Sequence, residues 1–269
     1  MHPFETEESE YHQSIAADTS KTGGISVTTV VRADRNEELE ILDSIYSAAE
    51  GYSFYPFRDK SHDLHYADSV PFFEEVVEQN LDRLNTAVHL GQDGSDQERV
   101  EAVQTAILVN RLGPEDELVI LDGSTDKADR FGKAYDGIST TIPPLTTCIE
   151  SEFYYPSSLL ADITSSHLAA QIDHPRHTTE VIPKTPISKE EFNAKWGKAY
   201  HSLVTRSVDV PLASIPHRRA EKVRTRMHCW FNGCMGGGEP YPTDKSVRQI
   251  VNYAERQGYD ELAAKLSEV

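Results

Sequence analysis

Long apolar runs, basic side chains and cysteines are all scarce in this chain, and each shortage excludes something. No stretch of the 269 residues approaches the ~18 consecutive apolar positions of a membrane-spanning helix, so no membrane partner is expected. The opening MHPFETEESEYHQ lacks the basic-then-apolar order of a secretory leader, which points to a cytoplasmic protein. Three cysteines, Cys148, Cys229 and Cys234, are an odd number in a chain of this length and argue against a disulfide framework. Only 26 Lys and Arg stand against 44 Asp and Glu, a net charge of −18. So acidic a surface secures solubility at the cost of self-repulsion that salt would screen, the pattern expected of a halophilic protein.

The same charge disfavours nucleic acid as a partner everywhere except in one segment. PHRRAEKVRTRMH, residues 216–228, carries Arg218, Arg219, Lys222, Arg224 and Arg226 against the single acid Glu221. It reads either as a solvated helix face paired with the acidic surround or as a phosphate-contacting stripe.

Along the chain, residues 1–24 are polar, acidic and aperiodic, closing on KTGG, and are expected to form a flexible tail. Residues 25–269 are expected to form one domain. ISVTTVVRAD predicts a strand, and Leu39, Leu42, Ile45 and Tyr46 follow at helical spacing up to Gly51. Phe73, Val76, Val77, Leu81 and Leu84 share one helical face, with Pro71 at the start of that helix. DQERVEAVQTAILVNRLG predicts a further helix, LVIL a buried strand, the polar stretch after it a loop or short helix, and IPPLTTCIESEFYYP a short strand. SSLLADITSSHLAAQI is helical, residues 174–235 read as an insertion, and the chain closes in one or two helices broken at Gly258. The alternation predicts an α/β fold, a mixed sheet flanked by helices with a helical C-terminal extension.

Two predicted strands end in aspartate, Asp34 and Asp122. Carboxylates at the C-terminal ends of strands can converge on one crevice, and such a cluster calls for a cation with a taste for oxygen, Mg²⁺ or Mn²⁺. HCWFNGC brings His228, Cys229 and Cys234 close together, but a zinc site needs a fourth ligand, and a buried cysteine pair beside Trp230 is the simpler reading. Tyr154, Tyr155 and Tyr241 could stack on bases or pack in the core.

The order of the segments TTVVRAD, ADSVPFFEEVVEQNLDRL, EAVQTAILVNRL, DELVILDG, FYYPSSLLADITSSHLA and GGEPYPTDKSVRQIV resembles the ribonuclease HII family. That family combines a first-strand Asp, an Asp-Ser-Lys segment before a helix, a strand ending Asp-Gly, a Tyr-Pro entering a helix, and a late Gly-Tyr-Pro-(Ser/Thr)-Asp. The resemblance implies a ribonuclease H-like fold and two-metal hydrolysis of RNA, RNA–DNA hybrid or DNA, with Asp34, Asp122 and Asp162 (or Asp173) as ligands. A second resemblance, to the NurA nucleases, adds Glu101, on a helix ahead of the LDGS strand. Nucleic acid would be held by Arg218, Arg219, Lys222, Arg224, Tyr155 and Tyr241. Arg35 stands where the ribonuclease HII motif has Glu, so the alternative is a catalytically inactive ribonuclease H-like module that binds nucleic acid or protein.

Overall fold

Valine, isoleucine and threonine crowd Ile25–Asp34, and this run forms the expected strand, here β2. The structure, a computed structural model, describes residues 13–22, 25–56, 59–90, 97–114, 117–139, 141–148, 150–173, 208–209, 227–229 and 244–267. Ahead of β2, Gln13–Thr22 forms β1. It pairs antiparallel with β2 along its whole length, from Gln13 opposite Asp34 to Thr22 opposite Ile25. The expected tail is therefore corrected over these ten residues. The Ala-Ala-Asp-Thr-Ser stretch of β1 has weak strand propensity, and tertiary packing decides the matter: β1 lies in the middle of the sheet, and Ile15 and Ala16 are fully buried.

The remaining elements are α1 (Arg35–Ala48), α2 (Tyr66–Gln79), β3 (Leu84–Leu90), α3 (Gln97–Leu112), β4 (Leu118–Asp122), α4 (Thr125–Asp136), β5 (Leu145–Cys148) and α5 (Pro156–Asp173). Short strands β6 (Val208–Asp209) and β7 (Met227–Cys229) follow, then helices α6 (Asp244–Gln257) and α7 (Asp260–Ser267). The sheet order is β6-β3-β2-β1-β4-β5-β7. β1, β2 and β3 form an antiparallel meander, whereas β4 runs parallel to β1, and β5 parallel to β4. This is the expected α/β architecture, a mixed sheet flanked by helices.

One predicted helix is shorter than its apolar spacing suggested. α2 begins earlier, so Pro71 lies inside it, and it stops at Asn80. The Asn80 amide donates to the Val76 carbonyl at 2.9 Å and to Ser44 Oγ at 2.8 Å, which closes the helix. The chain then re-enters the sheet as β3, where Leu84 and Ala87 are buried.

Strand alternation sorts the core onto two faces. Ala16, Leu118 and Ile120 face a cluster that includes Leu39 and Leu42 of α1 and Ile250, Leu262 and Leu266 of the C-terminal helices. Ile15, Ala17, Val119 and Leu121 face α3 and α4 through Val103, Leu108, Val109, Phe131 and Tyr135. α5 lies across β1 and β2 on the α1 side, its Leu159, Leu160 and Ile163 packed with Val27, Val31 and Phe73.

Candidate active site

Parallel pairing of β1 with β4 fixes which carboxylates meet. Ala17 is registered with Leu121, so the next residues, Asp18 and Asp122, end up beside each other on neighbouring strands. By alternation they share the face of Ala16 and Ile120, the side on which α5 runs. Asp162 is the seventh residue of α5. The helix also ties itself to Asp18, since Ser165 Oγ donates to Asp18 Oδ2 at 2.9 Å.

A fourth acid comes from the link between β5 and α5. Glu150 has φ 59°, a left-handed conformation that starts a short 3-10 turn, Ser151–Phe153. The Ser151 N–H donates to Asp122 Oδ1 at 2.9 Å, which fixes the turn against the β4 end and brings the Glu152 carboxylate within electrostatic reach of Asp122 and Asp162. Opposite stands the segment ahead of α2. Ser61 donates to Asp162 from its N–H at 2.9 Å and from its hydroxyl at 2.7 Å. Lys60 Nζ lies 2.7 Å from Glu152 Oε1 and 3.5 Å from Glu150.

Four carboxylates in one partly dry place disfavour full ionisation. Burial, then repulsion from Asp162 and Asp122, pushes Asp18 up to about 7. Burial and Asp122 push Glu152 up to about 8 against the pull of Lys60. Asp162 is likewise raised by burial, although Ser61, Ser166 and Lys60 all favour its charge. Among the described residues, Glu152 Oε2 is buried without a hydrogen-bond partner. An acceptor-only group left so is costly unless something positive approaches it. Among the described residues, no three His, Cys, Asp or Glu side chains are drawn close enough together to grip an ion as they stand.

Of the described residues singled out from the sequence, Asp122 and Asp162 meet here, Asp34 and Tyr155 do not, and Glu101 shares only a small cleft with Asp122 on the α3 side. Asp34 ends β2, which runs antiparallel to β1, so it lies opposite Gln13 at the far end of the sheet. There it caps α1, accepting from Asn36 N at 2.8 Å and Glu37 N at 2.9 Å while Glu37 returns a bond to the Asp34 N–H. Glu101 is on α3, on the other face of the sheet, held by Lys21 and, at 2.8 Å, by Lys127. Burial alone would raise it, but the two ammonium groups bring it below the usual glutamate range. Tyr155 is 2% exposed and packs in the core beneath the C-terminal helices, so it is not a stacking platform. Arg218, Arg219, Lys222, Arg224 and Tyr241 lie outside the described residues, as do the side chains of Asp173, His228, Cys229 and Cys234.

Asp18, Glu152 and the Lys60-Ser61 pair are the residues that sequence reading missed. No linear pattern marks Asp18, which lies inside β1 and meets Asp122 only because β1 runs parallel to β4, whereas Asp34 ends a strand antiparallel to β1. The sequence resemblance instead pointed to Asp68-Ser69, further along the chain.

The site thus belongs to an α/β protein with an acid cluster at the C-terminal end of its central parallel strands. No family model matches the chain, and no curated protein matches it. Among solved structures, it is similar to Bst-RNase HIII in complex with Mn²⁺, at 15% identity and TM-score 0.44, over 74% of this chain and 66% of that one. It is also similar to the ribonuclease H2 from Pyrococcus horikoshii OT3, at 14% identity and TM-score 0.40, over 95% and 97% of the two chains. A third likeness is to RNase HII in the PCNA:RNase HII complex from Archaeoglobus fulgidus, at 12% identity and TM-score 0.39, over 80% and 97%. The chain spans about two thirds of the RNase HIII chains it matches, 64% of one and 66% of the other.

Proposed function

We propose that this protein is a metal-dependent phosphodiester hydrolase of ribonuclease H-like type, acting on RNA, RNA–DNA hybrid or DNA. The observation that carries the reading is the meeting of Asp18, Asp122, Asp162 and Glu152, with a buried Glu152 oxygen that no donor among the described residues satisfies. The donor set fits Mg²⁺ or Mn²⁺, which take carboxylate oxygens in preference to nitrogen or sulfur. Bound there, such an ion would supply Lewis-acid polarisation of a phosphoryl oxygen and a more acidic water.

The chain's own residues have separate tasks in this scheme. Asp18 and Asp122 are fixed by the register of two central strands and form its rigid part. Asp162 is held by two bonds from Ser61 and one from Ser166, at 3.3 Å. Lys60 orients Glu152 and offsets part of the cluster's charge. The basic segment with Arg218, Arg219, Lys222 and Arg224 would bind the phosphate backbone, the contact a chain of net charge −18 otherwise lacks.

Asp122→Asn tests the reading. Mg²⁺-dependent cleavage of a labelled RNA–DNA hybrid should fall at least a hundredfold while the far-ultraviolet dichroism stays unchanged, and undiminished cleavage would sink it. A second reading, a module that binds nucleic acid or protein without cleaving, is favoured by the side chains' failure to close on one point. Calorimetric titration with Mn²⁺ separates the two: the enzyme binds the ion and the module does not.

A further inference from the structure

Among the described residues a single large hydrophobic side chain is exposed, that of Tyr55, at 42%. An isolated exposed ring is ordinary, but the setting of this one is not. Its neighbours in the chain, Phe54 and Pro56, are both buried. The Phe54 ring packs against Phe72 of α2 with centroids 5.1 Å apart. The backbone closes into a turn, since the Asp59 N–H donates to the Tyr55 carbonyl at 3.0 Å and the Asp59 carboxylate accepts the Tyr55 N–H at 2.8 Å. Tyr55 is thus presented to solvent from a stem held on both sides, which lowers the ordering cost of any contact it makes.

The turn leads directly into the acid cluster. Lys60 follows, 2.7 Å from Glu152, and then Ser61, whose N–H and hydroxyl hold Asp162. Asp59 and Ser61 are two residues apart, so the Tyr55 carbonyl lies within about 10 Å of the Ser61 N–H. The two acids of this stretch serve its own backbone: Asp59 accepts from Tyr55, and Asp63 accepts the Lys60 N–H at 2.8 Å. Stacking on the face of a base draws on no net charge, which suits a chain of net charge −18. It also selects a ligand, because paired bases have their faces covered by neighbours in the duplex and an unpaired strand leaves them open.

We propose that Tyr55 is a nucleic-acid-binding residue that stacks on an unpaired base beside the phosphodiester at the acid cluster, so that the site takes a single strand in preference to a duplex. This rests on the metal-dependent hydrolase reading above.

Steady-state cleavage with Mn²⁺ tests it, on single-stranded and blunt duplex forms of one labelled sequence, made as RNA, as DNA and as hybrid. The native chain should show a higher kcat/KM on the single strand than on the duplex of the same chemistry. Tyr55→Leu, which keeps bulk and loses the aromatic face, should raise KM for the single strand about tenfold. Its kcat, and its kinetics on the duplex, should stay within about twofold of the parent, the pattern of a lost binding contact. Tyr55→Phe, which keeps the face, should behave as the native chain does. A duplex preference in the native chain, an unchanged KM in Tyr55→Leu, or an equal loss on both forms overturns the inference while leaving the hydrolase reading intact. Cleavage of none of these substrates by the native chain overturns the hydrolase reading itself, and the inference with it.

Discussion

Glu38 on α1 grips the first turn of α5, accepting the Ser157 N–H at 2.7 Å and the Ser157 hydroxyl at 2.5 Å. Ser14 of β1 donates to the same carboxylate at 3.3 Å. One buried side chain thus sets α5, and with it Asp162, relative to the strand that carries Asp18. Burial pushes Glu38 up to about 7 from an ordinary 4.5, and the three donors only partly restrain it. Between those values the folded chain keeps a proton that the unfolded chain has released, so stability falls as pH rises through this window and levels off above it. At ~1.36 kcal/mol per pKa unit, the fall from this group is about 3 kcal/mol. Urea denaturation of Glu38→Gln between pH 4.5 and 8 should show a shallower decline than the parent. An identical decline would mean that Glu38 ionises normally.

Asp18 and Asp34 make opposite predictions although both lie in the first hairpin. Asp18→Asn should abolish Mn²⁺ binding and metal-dependent cleavage. Asp34→Asn should leave cleavage within about twofold and cost a few tenths to ~1 kcal/mol in thermal stability, since asparagine still caps a helix but loses the favourable charge at its N-terminus. Side-by-side kinetics and thermal melts check both.

Tyr155 belongs to the core, and its truncation should register in stability. Tyr155→Ala should cost ~3–5 kcal/mol, the usual range for removing a large buried aromatic side chain. The folded fraction should bind nucleic acid as the parent does, which filter binding at a temperature well below the melt would show.

Ser61→Ala removes a hydroxyl that donates to Asp162 at 2.7 Å and contacts Ser166 at 2.9 Å. The variant should lose on the order of 1–3 kcal/mol of stability, as for a hydrogen bond to a charged acceptor. It should also weaken Mn²⁺ binding several-fold, because Asp162 keeps only the Ser61 N–H and Ser166. Equal affinity for both chains would show that the Ser61 backbone suffices to orient the acid.

The architecture was legible wherever periodicity and burial agree. β2, β4, α1 and α5 are each readable from apolar spacing, and their order alone predicts a mixed sheet covered by helices. β1 was not, because its centre is Ala16-Ala17-Asp18-Thr19, which carries neither bulk nor branching until Thr19; its strand character comes from partners on both sides. β3 was hidden for a related reason, since Leu81 and Leu84 continue the helical spacing of α2 across a real break at Asn80. The site inherits these gaps. Asp122 and Asp162 are placed by motif, whereas Asp18 and Glu152 reach them only through register and a left-handed turn at Glu150, neither of which a linear pattern records. Asp34 looked right in type and wrong in direction: a strand-end acid on an antiparallel neighbour points away.

The strand that looked like a tail has a practical bearing on how the protein is handled. β1 is the seam at which the antiparallel meander joins the parallel strands, and it contributes Asp18. A gene trimmed to begin at Ile25, as its polar and acidic start invites, would encode two half-sheets with no shared edge and three of the four acids. Any trimming of the acidic start should therefore leave Gln13–Thr22 in place.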